Sequence, residues 1–234
     1  MPYEEIAGLL QQGLKLDMPP VALALVDEPP ADIQGLQESG PSACSYWRKA
    51  EQGVFYASAE DHYNCPIGAM VMGFALPDSV HQDLMGLVTT MFGMNYIKPD
   101  EIQHIPKYQR QAKGIVYGPL SGFPLEPTTV VVWPAPAQAM LLQEWSGGAS
   151  WAKDPQGLVF GRPGCGVLPV ADGTGAPAMS LGCTGMRTFT EVPDDKCLLV
   201  IPGAALAGLQ EGLHKVLEAN EQMRGLYLAK KGAA

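Results

Sequence analysis

Apolar residues at Ile6, Leu9, Leu10 and Leu14 recur at intervals of three and four, which predicts an amphipathic helix from about Tyr3 to Leu16. Glu4 and Glu5 sit in its favourable first turn, and it must end before Pro19. The pattern then changes period. Pro20 to Val26 is a continuous apolar run that predicts a buried strand, stopped by Pro29 and Pro30. Gly114 to Tyr117, Thr129 to Trp133 and Cys197 to Ile201 are short, rich in β-branched residues and bounded by Gly or Pro, and predict three more core strands. From Ala204 to about Leu228 the stripe Leu206, Leu209, Leu213, Val216 and Leu217 predicts a long C-terminal helix. Strands interleaved with helices define an α/β or α+β fold: a mixed sheet with flanking helices. No charge run or Pro/Ser-rich linker divides the chain, so the expectation is one domain spanning residues 1–234.

Composition narrows the function classes. The 234 residues are 47% hydrophobic and 17% charged, with 15 Lys+Arg against 24 Asp+Glu and a net charge of -9. Such a chain buries a core and is not disordered. It also lacks the basic face that nucleic-acid binding requires. No apolar run reaches the ~20 residues of a membrane span. The acidic start Met1-Pro2-Tyr3-Glu4-Glu5 is unlike a signal peptide, which gives a cytoplasmic expectation. Five cysteines, an odd number, then point to reduced thiols rather than a disulfide framework.

Four of these cysteines fall into a weak internal repeat. Cys44 and Cys65 lie 21 residues apart, Cys165 and Cys183 lie 18 apart, and each interval holds a Gly-bearing turn followed by a strand-like stretch, Val54 to Ala57 or Ala178 to Leu181. Two halves, about 15–120 and 121–230, would then bring the four thiols from two hairpin-like units onto one centre. Cys197 stands outside the pattern and reads as a small core residue. Buried, unligated thiols are the plain alternative for the other four.

Two features favour a metal site. Gly68 follows Cys65 and Gly185 follows Cys183, allowing close backbone approach and N–H groups directed at sulfur. Three of the five arginines, Arg48, Arg162 and Arg187, lie within four positions of these cysteines, where guanidinium groups would ease the burial of an anionic thiolate cluster. Zinc fingers and ribbons take ligands from tight Cys pairs, which are absent here, whereas iron–sulfur clusters accept dispersed ones. A 4Fe-4S cluster on Cys44, Cys65, Cys165 and Cys183 is therefore the first expectation, with zinc behind it.

The remaining candidates are weaker. His62 reads as a loop histidine, or as an axial ligand to haem or another tetrapyrrole. Met70, Met72, Met85, Met91 and Met94, with Phe74 and Phe92, read as helical core packing or as the lining of a pocket for a flat apolar cofactor. Gln138 and Met140 follow a strand end, where α/β folds place ligands. The segment Gly161 to Gly166 has neither Walker nor dinucleotide spacing, and Ser45 and Ser180 lack a nucleophile elbow.

Pro20-Val21-Ala22, Cys44 with Trp47 and Ala50, Cys65 with Gly68 and Gly73, Gly161-Arg162 with Cys165, and Ser180 to Arg187 resemble a prokaryotic family of unknown function labelled archaeal and cysteine-rich. The Ser-Leu-Gly-Cys-x-Gly-x-Arg segment is the most specific part. The resemblance covers nearly the whole chain and implies one continuous domain with its cysteines in a functional site, Arg187 and Gly185 beside the last of them. It implies no reaction. The expected partners are a small molecule or a redox protein, with a second copy of the chain as a further one, and neither nucleic acid nor membrane.

Overall fold

The structure, a computed structural model, describes residues 3–147 and 159–232. Seven strands form one sheet: β1 (Val21–Val26), β2 (Phe55–Ser58), β3 (Gly114–Pro119), β4 (Thr129–Val132), β5 (Val159–Phe160), β6 (Ala178–Ser180) and β7 (Leu198–Pro202). Their order is β2-β3-β1-β4-β7-β6-β5, antiparallel throughout except for the parallel pair β5 and β6. The helices are α1 (Glu4–Gly8), α2 (Ser45–Lys49), α3 (Pro66–Val71), α4 (Asp78–Gly93), α5 (Pro136–Trp145), α6 (Val167–Thr174), α7 (Thr184–Thr190) and α8 (Leu206–Gly232). The predicted α/β class is therefore the observed one.

Strand alternation divides the interior into two cores. Val21, Leu23, Leu25, Ile115, Tyr117, Val131, Leu198 and Val200 face one side, together with Cys44, Cys165 and Cys183. Ala22, Ala24, Val116, Val130, Val132, Leu199 and Ile201 face the other. Leucines and other apolar residues of α1, α5 and α8 cover that second face. Both faces of the central strands are buried, which explains why they read in sequence as continuous apolar runs rather than alternating ones.

Each half of the sheet is wired alike. In the first, β1 pairs with β3 and β3 with β2, so that Leu23 faces Tyr117 and Tyr117 faces Phe55. In the second, β4 pairs with β7 and β7 with β6, so that Val131 faces Val200 and Val200 faces Ala178. Val21 opposite Pro119 is matched by Thr129 opposite Pro202. The N–H of Leu120 donates to Pro20 O at 2.9 Å, and that of Gly203 to Thr128 O at 2.8 Å. The antiparallel pair β1 and β4 joins the halves at the centre.

Several elements depart from expectation. The N-terminal helix passes from α1 into a π-helical turn, Leu9–Gly13. The Gly-bearing turn expected between Cys165 and Cys183, at Asp172-Gly173-Thr174-Gly175, is the end of α6: the helix runs through Gly173 and stops at Gly175, whose φ of 65° suits glycine. The cysteine-bearing units are not hairpins. The first runs through α2, β2, a 3-10 turn (Glu60–His62) and α3, the second through a 3-10 turn (Gly164–Gly166), α6, β6 and α7. In α8 only the first turns bury Leu206, Leu209 and Leu213, and residues 221–232 are exposed. Among the described residues no helix is long and apolar enough to cross a membrane.

Candidate functional site

Four separate turns carry the repeat cysteines onto one face of the sheet. Cys44 caps α2, Cys65 caps α3 with Pro66 at its first position, Cys165 lies in the 3-10 turn Gly164–Gly166 that leads into α6, and Cys183 caps α7. The turns pack crosswise. α2 of the first half lies against α7 of the second, and α3 of the first against the Cys165 turn of the second. Each crosswise contact therefore joins a buried cysteine to a half-buried one: Cys44 and Cys165 are 7% and 8% exposed, while Cys65 and Cys183 are half-buried.

The thiols sense one another. Burial pushes Cys44 up to about 12, the Ser42 hydroxyl at 3.1 Å opposes this, and Cys65 and Cys183 add to it. Burial also holds Cys165 far above the ordinary thiol range, reinforced by Cys65, Cys44 and Cys183. Desolvation and the neighbouring thiols both favour the protonated form of Cys44 and Cys165. Cys183 Sγ accepts the Met186 N–H at 3.4 Å, the bond expected of an N-cap side chain. Among the described residues no three His, Cys, Asp or Glu side chains are gathered closely enough to hold a single metal ion.

Glycine makes the packing of these turns feasible. A Cβ on Gly68 would lie 2.8 Å from Ala43 Cβ and 3.0 Å from Cys65 Sγ, so only glycine lets α3 close on the Cys44 segment. A Cβ on Gly164 would meet Cys183 N and Gly182 Cα, both at 3.3 Å. Gly182, at φ 81°, turns the chain sharply from β6 into α7. The other glycine singled out from the sequence is different: a Cβ on Gly185 meets nothing nearer than the Phe189 ring at 3.9 Å. Gly68→Ala is therefore expected to cost about 1–3 kcal/mol, with Gly185→Ala near neutral. Equal urea midpoints for the two variants would contradict this reading of the packing.

The arginines take other partners. Arg48 pairs with Glu51, and Arg162 stacks over Tyr96 at 4.4 Å from the ring centre. Arg187 donates to Leu181 O at 3.0 Å and Lys196 O at 2.9 Å, tying α7 to the start of β7. Arg187 also acts on Cys197, whose thiol donates to Pro134 O at 3.2 Å. Proximity along the chain to a cysteine did not bring a guanidinium to its sulfur, because the turns direct these long side chains toward carboxylates, carbonyls and a ring instead.

His62 is not a loop histidine and has no nitrogen free for a metal or a tetrapyrrole. It is 1% exposed, with Nδ1 at 2.6 Å from Ser58 O and Nε2 at 2.8 Å from Tyr117 Oη. A carbonyl can only accept, so Nδ1 carries the proton and Nε2 accepts from the Tyr117 hydroxyl. Burial lowers His62 to about 4. Between pH 6.5 and 4 the unfolded chain binds a proton at this histidine that the folded chain refuses, so stability is full above 6.5 and falls by about 3 kcal/mol across that window. The check is the urea midpoint against pH for the native chain and His62→Gln; parallel slopes would contradict the assignment.

The other candidates scatter. Met72 and Phe74 are in the cysteine-side core, whereas Met85 and Met94 are 51% and 72% exposed, so the methionines do not line one pocket. Gln138 is structural: its Oε1 accepts the Ala135 N–H at 2.7 Å, and its Nε2 donates to Leu14 O and Lys15 O. Met140 is exposed. Sequence reasoning missed Trp47 and Trp133, which are fully buried on the cysteine face with ring centres 6.0 Å apart. Their signal was compositional, since large aromatics in short apolar contexts are ordinarily taken for packing alone.

A seven-stranded sheet with four helix-start cysteines spread over one face defines a cysteine-centred α/β protein. The chain belongs to the DUF169 family, described as Uncharacterised ArCR, which matches residues 9–212. It is 25% identical to Uncharacterized protein MJ0308 of Methanocaldococcus jannaschii over 243 aligned positions, covering 95% of each chain. No solved structure matches it.

Proposed function

We propose that the protein binds one 4Fe-4S cluster through Cys44, Cys65, Cys165 and Cys183 and uses it to pass single electrons to a redox protein or a small molecule. The observation that carries this reading is the crosswise packing of four cysteine-bearing segments that are distant in sequence, α2 against α7 and α3 against the Cys165 turn, with Cys65 and Cys183 both among the groups that raise Cys44 and Cys165. We further infer that the two halves are a structural repeat related by a twofold axis between β1 and β4. Such an axis exchanges Cys44 with Cys165 and Cys65 with Cys183, and in both halves the first cysteine is buried and the second half-buried.

The donor set suits a cluster better than one ion. Four thiolates around a single zinc stand about 4 Å apart, and no such tight group is present among the described residues. A cubane fills the middle of its site with iron and sulfide and keeps its thiolates farther apart, which suits sulfurs that interact without touching. When bound, the cluster supplies reversible one-electron chemistry. The chain holds it through sulfur, excludes water behind Cys44 and Cys165, and leaves Cys65 and Cys183 toward the partner side.

Anaerobic reconstitution with iron and sulfide tests the proposal. The expected product has a broad absorption shoulder in the violet that bleaches on reduction and gives a spin-half signal. A sharp Soret-type band after haem addition, or binding of zinc alone, would overturn it.

A further inference from the structure

Three buried side-chain polar atoms lack a hydrogen-bond partner among the described residues: Trp47 Nε1, Trp133 Nε1 and Thr129 Oγ1. All three belong to the cysteine side of the sheet. Thr129 and Trp133 share the β4 face that carries Val131, and Trp47 is in the same core, three residues after Cys44. Thr129 has the Tyr108 hydroxyl as a neighbour, so the two indoles carry the argument.

An indole N–H can only donate. Leaving one buried without an acceptor costs about 1–3 kcal/mol, and here the two rings stand side by side in the core that also holds Cys44 and Cys165. A bridging water would need two to four polar partners, and the core cluster that holds both rings is built mainly of apolar side chains, among them Val131, Val167, Leu168, Ala171, Met186 and Leu198. An anionic, sulfur-bearing guest would offer an acceptor to each of these two N–H groups.

We infer that Trp47 and Trp133 donate their indole N–H groups to sulfur atoms of the bound cluster, as positioning residues that raise its reduction potential. Donors to cluster sulfur disperse negative charge and favour the reduced form, so their removal makes the potential more negative. The inference rests on the cluster reading above and extends it to residues outside the ligand set.

The test combines potentiometry with indole resonances in the full chain. Trp47→Phe and Trp133→Phe should each retain iron and sulfide and titrate at a more negative potential than the native chain, with a larger shift in the double variant. If a variant does not fold, the native chain decides. On loading, the Trp47 and Trp133 N–H resonances should shift downfield or broaden beyond detection, while that of Trp145, on the opposite face beside Gly212 of α8, stays in place. A loaded protein with unchanged potentials in folded variants, or with the Trp47 and Trp133 resonances unmoved, overturns the inference and leaves the cluster standing. Failure to take up iron and sulfide overturns the cluster reading, and this inference falls with it.

Discussion

Cys183→Ser should leave the reconstituted protein close to colourless, with iron and sulfide reduced several-fold, whereas Cys197→Ser should load like the native chain. The two residues are only fourteen positions apart, yet the fold gives them different tasks. Cys183 caps α7 and is among the groups that raise both Cys44 and Cys165. Cys197 spends its thiol on Pro134 O, at the start of β7. Serine keeps the N-cap oxygen and hence the bond to the Met186 N–H, so loss of loading cannot be assigned to loss of the helix. Equal loading of both variants would remove Cys183 from the ligand set.

The second large effect is one of stability. Gly203→Ala is expected to destabilise the fold by about 3 kcal/mol or more. A Cβ at this position would lie 1.7 Å from the Pro127 carbonyl oxygen and 2.8 Å from its carbon. No side chain can move aside to relieve that contact, so the backbone at the end of β7 must leave β4 and give up the Gly203 N–H bond to Thr128 O. The equivalent place in the first half is Leu120, whose side chain is fully buried. The same hydrogen bond is thus made beside a leucine in one half and beside a glycine in the other, which shows how far matching positions differ. An unfolding free energy from urea titration for Gly203→Ala within about 1 kcal/mol of the native value would contradict this.

Residues with strong local signals were legible before the structure. The continuous apolar runs of β1, β3, β4 and β7 mark strands buried on both faces, and the leucine stripe marks the first turns of α8. The spacing of Cys44, Cys65, Cys165 and Cys183 with their glycines predicted convergence on one centre, which the cluster proposal keeps as its central claim. Side-chain direction was not legible. Arg48, Arg162 and Arg187 are near cysteines in sequence, but their partners are Glu51, Tyr96 and backbone carbonyls. His62 looked like a loop residue because nothing local reveals that Tyr117, 55 positions away, meets its Nε2. Likewise Gly173 reads as a turn until Leu168 and Ala171 are seen to bury α6 against the cysteine-side core. These misses share a cause: each depends on a contact distant in sequence, while periodicity and turn chemistry report only on neighbours.

The fold joins two similarly paired sheet halves, and the cysteine-bearing turns pack where they meet. The proposed cluster makes a specific demand on that arrangement, since in this proposal sulfurs from both halves ligate one guest together. Mössbauer spectroscopy of the chain reconstituted anaerobically with enriched iron asks this most directly. The account predicts about four iron atoms per chain in one exchange-coupled 4Fe-4S species, lost in each single Ser variant of Cys44, Cys65, Cys165 and Cys183. Iron present only as isolated, uncoupled ions, or a cluster spectrum unchanged in variants drawn from both halves, would contradict it.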